Sequence, residues 1–266
     1  MKVGFIGAGN MGGALAKAAA KAVAPQDIFI SDKFVDKAEV LAATLGCRAV
    51  AAEQVVEICD YIFLGVKPQM MAELFCQIGT TLQSRKEPFI LVSMAAGVAM
   101  ADIRRMAGAE YPIIRIMPNT PVSVGQGMIL YDHTDNVSAE AVAVFGETMR
   151  FAGRLDPLPE KLIDAGSAVS GCGPAFACLF LEALADGGVA CGLPRDKAME
   201  YAAQMLLGTA KLALESGQHP GQLKDAVCSP GGSTIAGVRA LEQGGFRAAA
   251  MNAVEAAFVR TKELGK

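Results

Sequence analysis

The sequence predicts an α/β chain in two parts, a parallel sheet with helices on both faces followed by an all-helical domain. Three observations predict it. Short apolar strands alternate with helical stretches over the first half of the chain, which implies a parallel sheet. A glycine-rich turn follows the first strand directly and opens a helix. After about Leu158 the strand patterns stop, and helix follows helix.

Taken in order, "KVGFIG" reads as a strand, "NMGGALAKAAAKA" as a helix, "DIFIS" as a strand and "DKAEVLAATLG" as a helix ending at Gly46. Further strands are "YIFLGV" from Tyr61, "FILVS" from Phe89 and "IIRIM" from Ile113, with "GMILY" from Gly127 a weaker candidate. The helical half is broken at "SGCGP", "CGLPR", "SGQHPG", "SPGGS" and "QGGF". The change in pattern places a linker at Asp156 to Glu160, marked by Pro157 and Pro159. The expected domains are residues 1–157 and 158–266.

Composition agrees with two domains, since 266 residues are many for a single core. Apolar residues make up 52% and charged residues 19%, so some apolar surface is expected in a subunit interface. A net charge of -3, no Trp and no basic run argue against nucleic acid or an anionic membrane as partner. The ligand is then expected to be small. Seven scattered cysteines, never spaced C-x-x-C, suit a reducing cytoplasm, and two histidines, His133 and His219, make a histidine metal centre unexpected. The N-terminus reaches glycine too soon for a signal-peptide core. The most apolar window, Ala175 to Gly192, is interrupted by Glu182 and Asp186 and reads as a buried helix.

"GAGNMG", from Gly7 through Ala8, Gly9, Asn10 and Met11 to Gly12, matches the G-x-G-x-x-G fingerprint of a Rossmann-type dinucleotide-binding domain. Gly7 permits the tight turn, Gly9 lets backbone approach a pyrophosphate, and Gly12 lets helix and sheet pack closely. Asp32 closes the next strand roughly 20 residues beyond Gly12, where a ribose-binding acid is expected. It favours NAD, whereas Lys33 and Lys37 nearby could neutralise the extra phosphate of NADP, so the preference stays open. Three further loops lie at predicted strand ends. Val66, Lys67 and Pro68 follow one strand, and Lys67 could bring an ammonium to the phosphates. Ala95, Ala96 and Gly97 follow the next, small enough for a flat nicotinamide to lie against backbone. "MPNTP" encloses Asn119 and Thr120 between prolines, a rigid turn with donors for a carboxamide or a substrate edge.

The helical half must supply the substrate site. In "SPGGSTIAGVRALEQGG", Pro230, Gly231 and Gly232 form a turn before a helix beginning around Ser233. Unpaired N–H groups of Gly232, Ser233 and Thr234, with the helix dipole behind them, would suit a carboxylate. Ordinary capping by Ser and Thr is the plainer alternative, but capping does not require Pro-Gly-Gly ahead of it. Pro174 opens a long helix that is apolar around much of its girth and so is expected between subunits. Cys172 and Cys178 read as small packing residues.

Together "GFIGAGNMG", "VKP", "AAGV", "MPNTP", "SGCGPAF", "HPGQLKDAVCSPGGSTI" and "GGFRAAAMNAVEAA" resemble the pyrroline-5-carboxylate reductase family, in order along the whole chain. The resemblance implies hydride transfer from NAD(P)H to the C=N carbon of Δ1-pyrroline-5-carboxylate, giving L-proline, the last step of proline biosynthesis. It implies that the backbone from Gly232 to Thr234 holds the substrate carboxylate and that the Thr234 hydroxyl bonds the ring nitrogen as the catalytic side chain. Val227 and Ser229, with the Gly231 turn, would line the same pocket. It further implies a dimerisation domain with the active site at the interface and a homodimer, with dimers often assembled into decamers; a cytoplasmic location and no metal are expected from the composition. Asp32 departs from the Ser or Asn common in the family, as Cys172 and Phe176 depart from frequent Ser and Tyr.

Two rivals remain. A β-hydroxyacid dehydrogenase shares the architecture but needs a lysine acid on the interdomain helix, and no lysine stands between Pro174 and Lys197. A non-enzymatic dinucleotide sensor leaves the Pro-Gly-Gly-Ser-Thr turn unexplained.

Overall fold

The computed structural model describes residues 1–264. It divides into two compact units. One is Met1–Cys172 together with residues 257–264, and the other is Gly173–Ala256.

The first unit is built on an eight-stranded sheet. In chain order its elements are β1 (Val3–Ile6), α1 (Asn10–Ala19), β2 (Ile28–Ser31), α2 (Val35–Leu45), β3 (Arg48–Ala49), α3 (Ala52–Ile58) and β4 (Tyr61–Leu64). They continue as α4 (Met71–Ser84), β5 (Ile90–Ser93), α5 (Met100–Ala107), β6 (Ile113–Met117), β7 (Gly127–His133), α6 (Ala139–Met149), β8 (Gly153–Pro157) and α7 (Glu160–Ser170). The strand order is β3-β2-β1-β4-β5-β6-β7-β8, parallel throughout except where β7 runs against β6. The chain steps outward from β1 to β3 and then returns to place β4 beside β1. This reversal opens a crevice at the carboxyl ends of β1 and β4, where open α/β sheets bind ligands.

The central strands are apolar on both faces because both faces are covered. Every residue of β1, β2, β4 and β5 is buried. Alternation sorts them into two cores. Phe5, Ile30 and Phe63 face a cluster with Leu15 of α1 and Phe145 of α6, the Phe5 and Phe63 rings stacked with centroids 4.6 Å apart. Ile6, Ile62 and Leu64 face the other way, onto Val55 of α3, Ile78 of α4 and Ile103 of α5.

Two edge strands lie outside the sequence reading. β3 has two exposed residues, and β8 holds one large apolar side chain, Leu155, and ends on a proline, so neither carries an apolar alternation. The expected linker at Asp156 to Glu160 is accordingly structured. Asp156 and Pro157 pair with β7, and the Leu158 N–H donates to the Tyr131 carbonyl at 2.8 Å. From there α7 packs Ile163 on Met117 and Leu130 of the sheet. A buried cation ties it down: Arg115 of β6, 3% exposed, reaches Glu160 at 3.2 Å and Asp164 at 2.7 Å. The first compact unit therefore runs on past 157 to Cys172.

The second unit comprises α8 (Gly173–Ala190), α9 (Arg195–Ser216), α10 (Pro220–Ala226), α11 (Ser233–Gln243) and the start of α12 (Phe246–Leu264). Each glycine- or proline-rich break read from the sequence separates two of the helices. The expectation of a buried α8 is not met within the chain: of its 18 residues only Ala185 is buried. The stretch Glu160–Ala190 is long and apolar enough, by length and composition, to cross a membrane. Its most apolar 18-residue window has a mean hydropathy of 1.6 and is 11% buried.

Candidate functional site

In the first unit the site grows from the end of β1. Gly7 has φ +115°, and a Cβ there would lie 2.5 Å from the Gly65 carbonyl oxygen beyond β4, so both the conformation and the space demand glycine. A Cβ on Gly12 would overlap the Gly7 carbonyl oxygen, so glycine there lets α1 start close against the strand. A Cβ on Gly9 would meet nothing within 4 Å. Gly9 is the N-cap of α1 and provides no side-chain cap, and the helix's first bond runs from Gly13 N–H to Gly9 C=O at 2.8 Å. The amides of Asn10, Met11 and Gly12 are thus left without helical partners, with the positive end of the dipole behind them.

Gly9 lines two cavities. One, of about 650 Å³, is walled by Gly7, Ser31, Asp32, Lys33, Lys37, Val66, Lys67 and Glu73, among others. The other, of about 500 Å³, is walled by Ala8, Asn10, Met11, Lys17, Thr120 and Ser123, among others. An uncapped helix start between two such cavities fits a dinucleotide, whose pyrophosphate lies between two nucleoside halves.

Asp32 stands at the end of β2 and is tied to backbone on both sides. Its Oδ2 accepts from Ala8 N–H at 2.7 Å and its Oδ1 from Phe34 N–H at 2.9 Å. Ala8 N–H is therefore spent inside the protein. Lys33 pairs with Glu73 at 3.2 Å, and Lys37 lies 4.9 Å over the Phe34 ring.

Other residues expected here lie outside the walls of these two cavities: Pro68, Ala95, Ala96, Gly97 and Asn119. Pro68 opens a 3-10 turn, Pro68–Met70. Ala95 is 1% exposed in the core, and Ala96 packs against Met117, Leu130 and Ile163. The buried Asn119 uses its carboxamide to brace the fold, Oδ1 accepting from Met128 N–H and Nδ2 donating to Ser170 C=O, both at 2.9 Å. Its neighbours Thr120 and Ser123, at the next turn, line the smaller cavity. Lys17 and Glu73 also stand in cavity walls, and each reads from sequence as an ordinary charge on an exposed helix face.

The second unit presents another uncapped helix start. His219 caps α10, its Nδ1 accepting from Gly221 N–H at 3.1 Å, while Gln222 Oε1 accepts from His219 N–H at 3.3 Å. "HPGQ" is thus a helix-starting box. After α10, Gly231 takes φ +69° and Gly232 becomes the N-cap of α11, with no side-chain cap. A Cβ on Gly232 would lie 2.5 Å from Ser229 Oγ. One expectation is corrected: Gly232 N–H donates to Ser229 C=O at 3.0 Å within the turn and is not available to a ligand. The amides left by the helix are those of Ser233, Thr234 and Ile235, since the first helical bond runs from Ala236 to Gly232. Val227, Ser229, Gly231, Ser233 and Thr234 are exposed in the chain. Beside the turn, the hydrogen bond from Lys224 to Asp225 raises the lysine pKa above its ordinary value.

Comparison with known proteins decides between the readings. Residues 160–264 match the family model for pyrroline-5-carboxylate reductase dimerisation, and residues 2–97 match that for NADP oxidoreductase, coenzyme F420-dependent. The chain is 40% identical to the pyrroline-5-carboxylate reductase of Escherichia coli (strain K12) over 268 residues, covering 100% of this chain and 98% of that one. The chain belongs to the pyrroline-5-carboxylate reductase family. It is also 43% identical over 271 residues to pyrroline-5-carboxylate reductase 2 of Bos taurus, covering 99% of this chain and 84% of that one. Among solved structures, the family member from Plasmodium falciparum with NADP bound superposes with a TM-score of 0.89 at 33% identity, covering 100% of this chain and 98% of that one. The family thus accounts for both the Rossmann-type sheet unit and the helices that follow it.

Proposed function

We propose that this chain reduces Δ1-pyrroline-5-carboxylate to L-proline with a hydride from NAD(P)H, the last step of proline biosynthesis. The observation that carries the reading is the presence in one family member of two uncapped helix starts, Gly9–Asn10 and Gly232–Ser233, each opened by glycine and each suited to an anion. One serves the pyrophosphate of the cofactor and the other the carboxylate of the substrate.

When bound, the reduced nicotinamide supplies the hydride. Gly9 keeps side chains away from the pyrophosphate, and the α1 amides hold it. The amides of Ser233, Thr234 and Ile235 hold the substrate carboxylate. The Thr234 hydroxyl bonds the ring nitrogen and fixes the face of the imine. Hydride adds to the C=N carbon as the π pair moves to nitrogen, which carries the proton of the iminium form and becomes the secondary amine of proline. An imine nitrogen takes a proton readily, so the site needs no strong acid, and fixed geometry supplies most of the acceleration. A dehydrogenase acting on β-hydroxyacids would need the lysine acid absent between Pro174 and Lys197.

The assembly is proposed to be a cytoplasmic homodimer, with dimers associating into decamers. The dimerisation match over α7 to α12, and an α8 apolar beyond what the chain itself buries, support a partner subunit and not a bilayer as the cover. The seven free cysteines suit a reducing compartment. Turnover of pyrroline-5-carboxylate, followed by loss of reduced-cofactor absorbance, tests the reading. Thr234→Ala removes a hydrogen bond worth roughly 1–3 kcal/mol, so it is expected to lower kcat about 10- to 100-fold while leaving cofactor binding unchanged. Full turnover by that variant would remove the hydroxyl from the mechanism.

A further inference from the structure

We infer that Asp32 is a specificity-determining residue that makes this chain prefer NADH to NADPH. The inference rests on the proposed reading of the larger cavity as a dinucleotide site, in which the acid closing the second strand meets the adenosine ribose.

The carboxylate is held in place from two directions. Ala8 N–H, from the glycine loop, reaches Oδ2 at 2.7 Å, and Phe34 N–H, from the turn after β2, reaches Oδ1 at 2.9 Å. Each oxygen keeps acceptor capacity beyond its one backbone bond, so the two hydroxyls of an unphosphorylated ribose can donate to it. A 2′-phosphate has no such complement here. It would bring a charge of about -1.5 to -2 and acceptor oxygens against a fixed negative group. Moreover, the two amides that could have received it are the ones Asp32 already occupies.

Cations in the same walls do not reverse this. Lys33, Lys37 and Lys67 line the cavity, but so do Asp32, Glu39 and Glu73. Lys33 is paired with Glu73, both side chains more than 60% exposed, and Lys37 lies over the Phe34 ring. Exposed pairs of this kind contribute little, whereas Asp32 is fixed by backbone. The carboxylate therefore sets the sign of the local interaction.

Calorimetric titration of the full chain with NADH and with NADPH, without substrate, tests this apart from catalysis. The expected result is a Kd for NADH at least tenfold below that for NADPH, the gap narrowing as added salt screens the charges. Asp32→Ser, which removes the charge and frees both amides, is expected to shift the Kd ratio at least tenfold toward NADPH, and Asp32→Asn to shift it less. NADPH binding as tightly as NADH to the unaltered chain would overturn the inference and leave the proposed function standing, a result that needs no variant to fold. A ratio unmoved by either substitution in a folded variant would overturn it equally. Binding of neither cofactor would overturn the dinucleotide reading itself.

Discussion

β1 and α8 are both strongly apolar, yet all four residues of β1 are buried and only one of the 18 in α8 is. The sheet unit closes both of its faces with its own helices. In the helical unit large apolar side chains stand open, with Leu179 69%, Leu207 60% and Leu214 74% exposed. Two apolar segments thus do opposite things, one completing a core within the chain and the other leaving its apolar face open, the face proposed above to meet a partner subunit. Substitutions in the sheet unit should show as lost binding or stability, and those on the open apolar face of the helical unit as lost assembly.

The largest effect is expected where backbone meets backbone. Gly12→Val puts side-chain atoms into the Gly7 carbonyl. It should weaken cofactor binding at least about 100-fold and destabilise the sheet unit by roughly 3 kcal/mol, read by calorimetric titration and thermal melting. Next comes the open face of the helices. Leu179→Asp with Leu207→Asp should convert the proposed dimer to monomers in sedimentation experiments, since a leucine covered by a partner subunit contributes about 2 kcal/mol to association. Cofactor binding that falls with assembly would break the division of labour between the units; binding that survives would sharpen it.

Smaller effects probe how the sheet unit holds itself together. Arg115→Met leaves Glu160 and Asp164 facing a buried apolar side chain and should cost about 3 kcal/mol in chemical denaturation, while the helical face is untouched. The smallest is Tyr61→Phe, which removes the 2.8 Å bond to the Ala141 carbonyl, worth about 1 kcal/mol. It carries a pH signature. Burial pushes the Tyr61 hydroxyl from its ordinary 10 to about 12, and the Cys59 thiol from 9 to about 12. Between those values the unfolded chain sheds protons that the folded chain keeps, so stability falls as pH rises from about 9 to 12. Tyr61→Phe should make that decline shallower above pH 10, as measured by urea denaturation across the range.

What could be read from sequence was what depends on neighbours along the chain. The glycine turn after β1, the stop at Gly46 and the five breaks between the later helices rest on local backbone chemistry, and each stands where the pattern put it. β3 and β8 were not legible because edge strands of two and five residues bury too little to need alternation. Hydrogen-bond partners were harder still. Asn119 reads as a turn residue, but its partner Ser170 lies 51 positions away and is chosen by the docking of α7 on the sheet. Arg115 reads as one basic residue in an apolar strand, and its carboxylates are 45 and 49 positions on. The Gly232 amide differs from its sequence reading for the reverse reason, since a bond only three residues back takes up a donor that helix geometry alone leaves open.

Hydride transfer to an imine carbon is open to isotopic labelling. Pyrroline-5-carboxylate would be incubated with the chain and nicotinamide cofactor deuterated at the transferable position, and the product analysed by mass spectrometry and NMR. The expected product is proline carrying one deuterium, located on the former imine carbon. Recovery of unreduced substrate from a folded chain that binds the cofactor would contradict it.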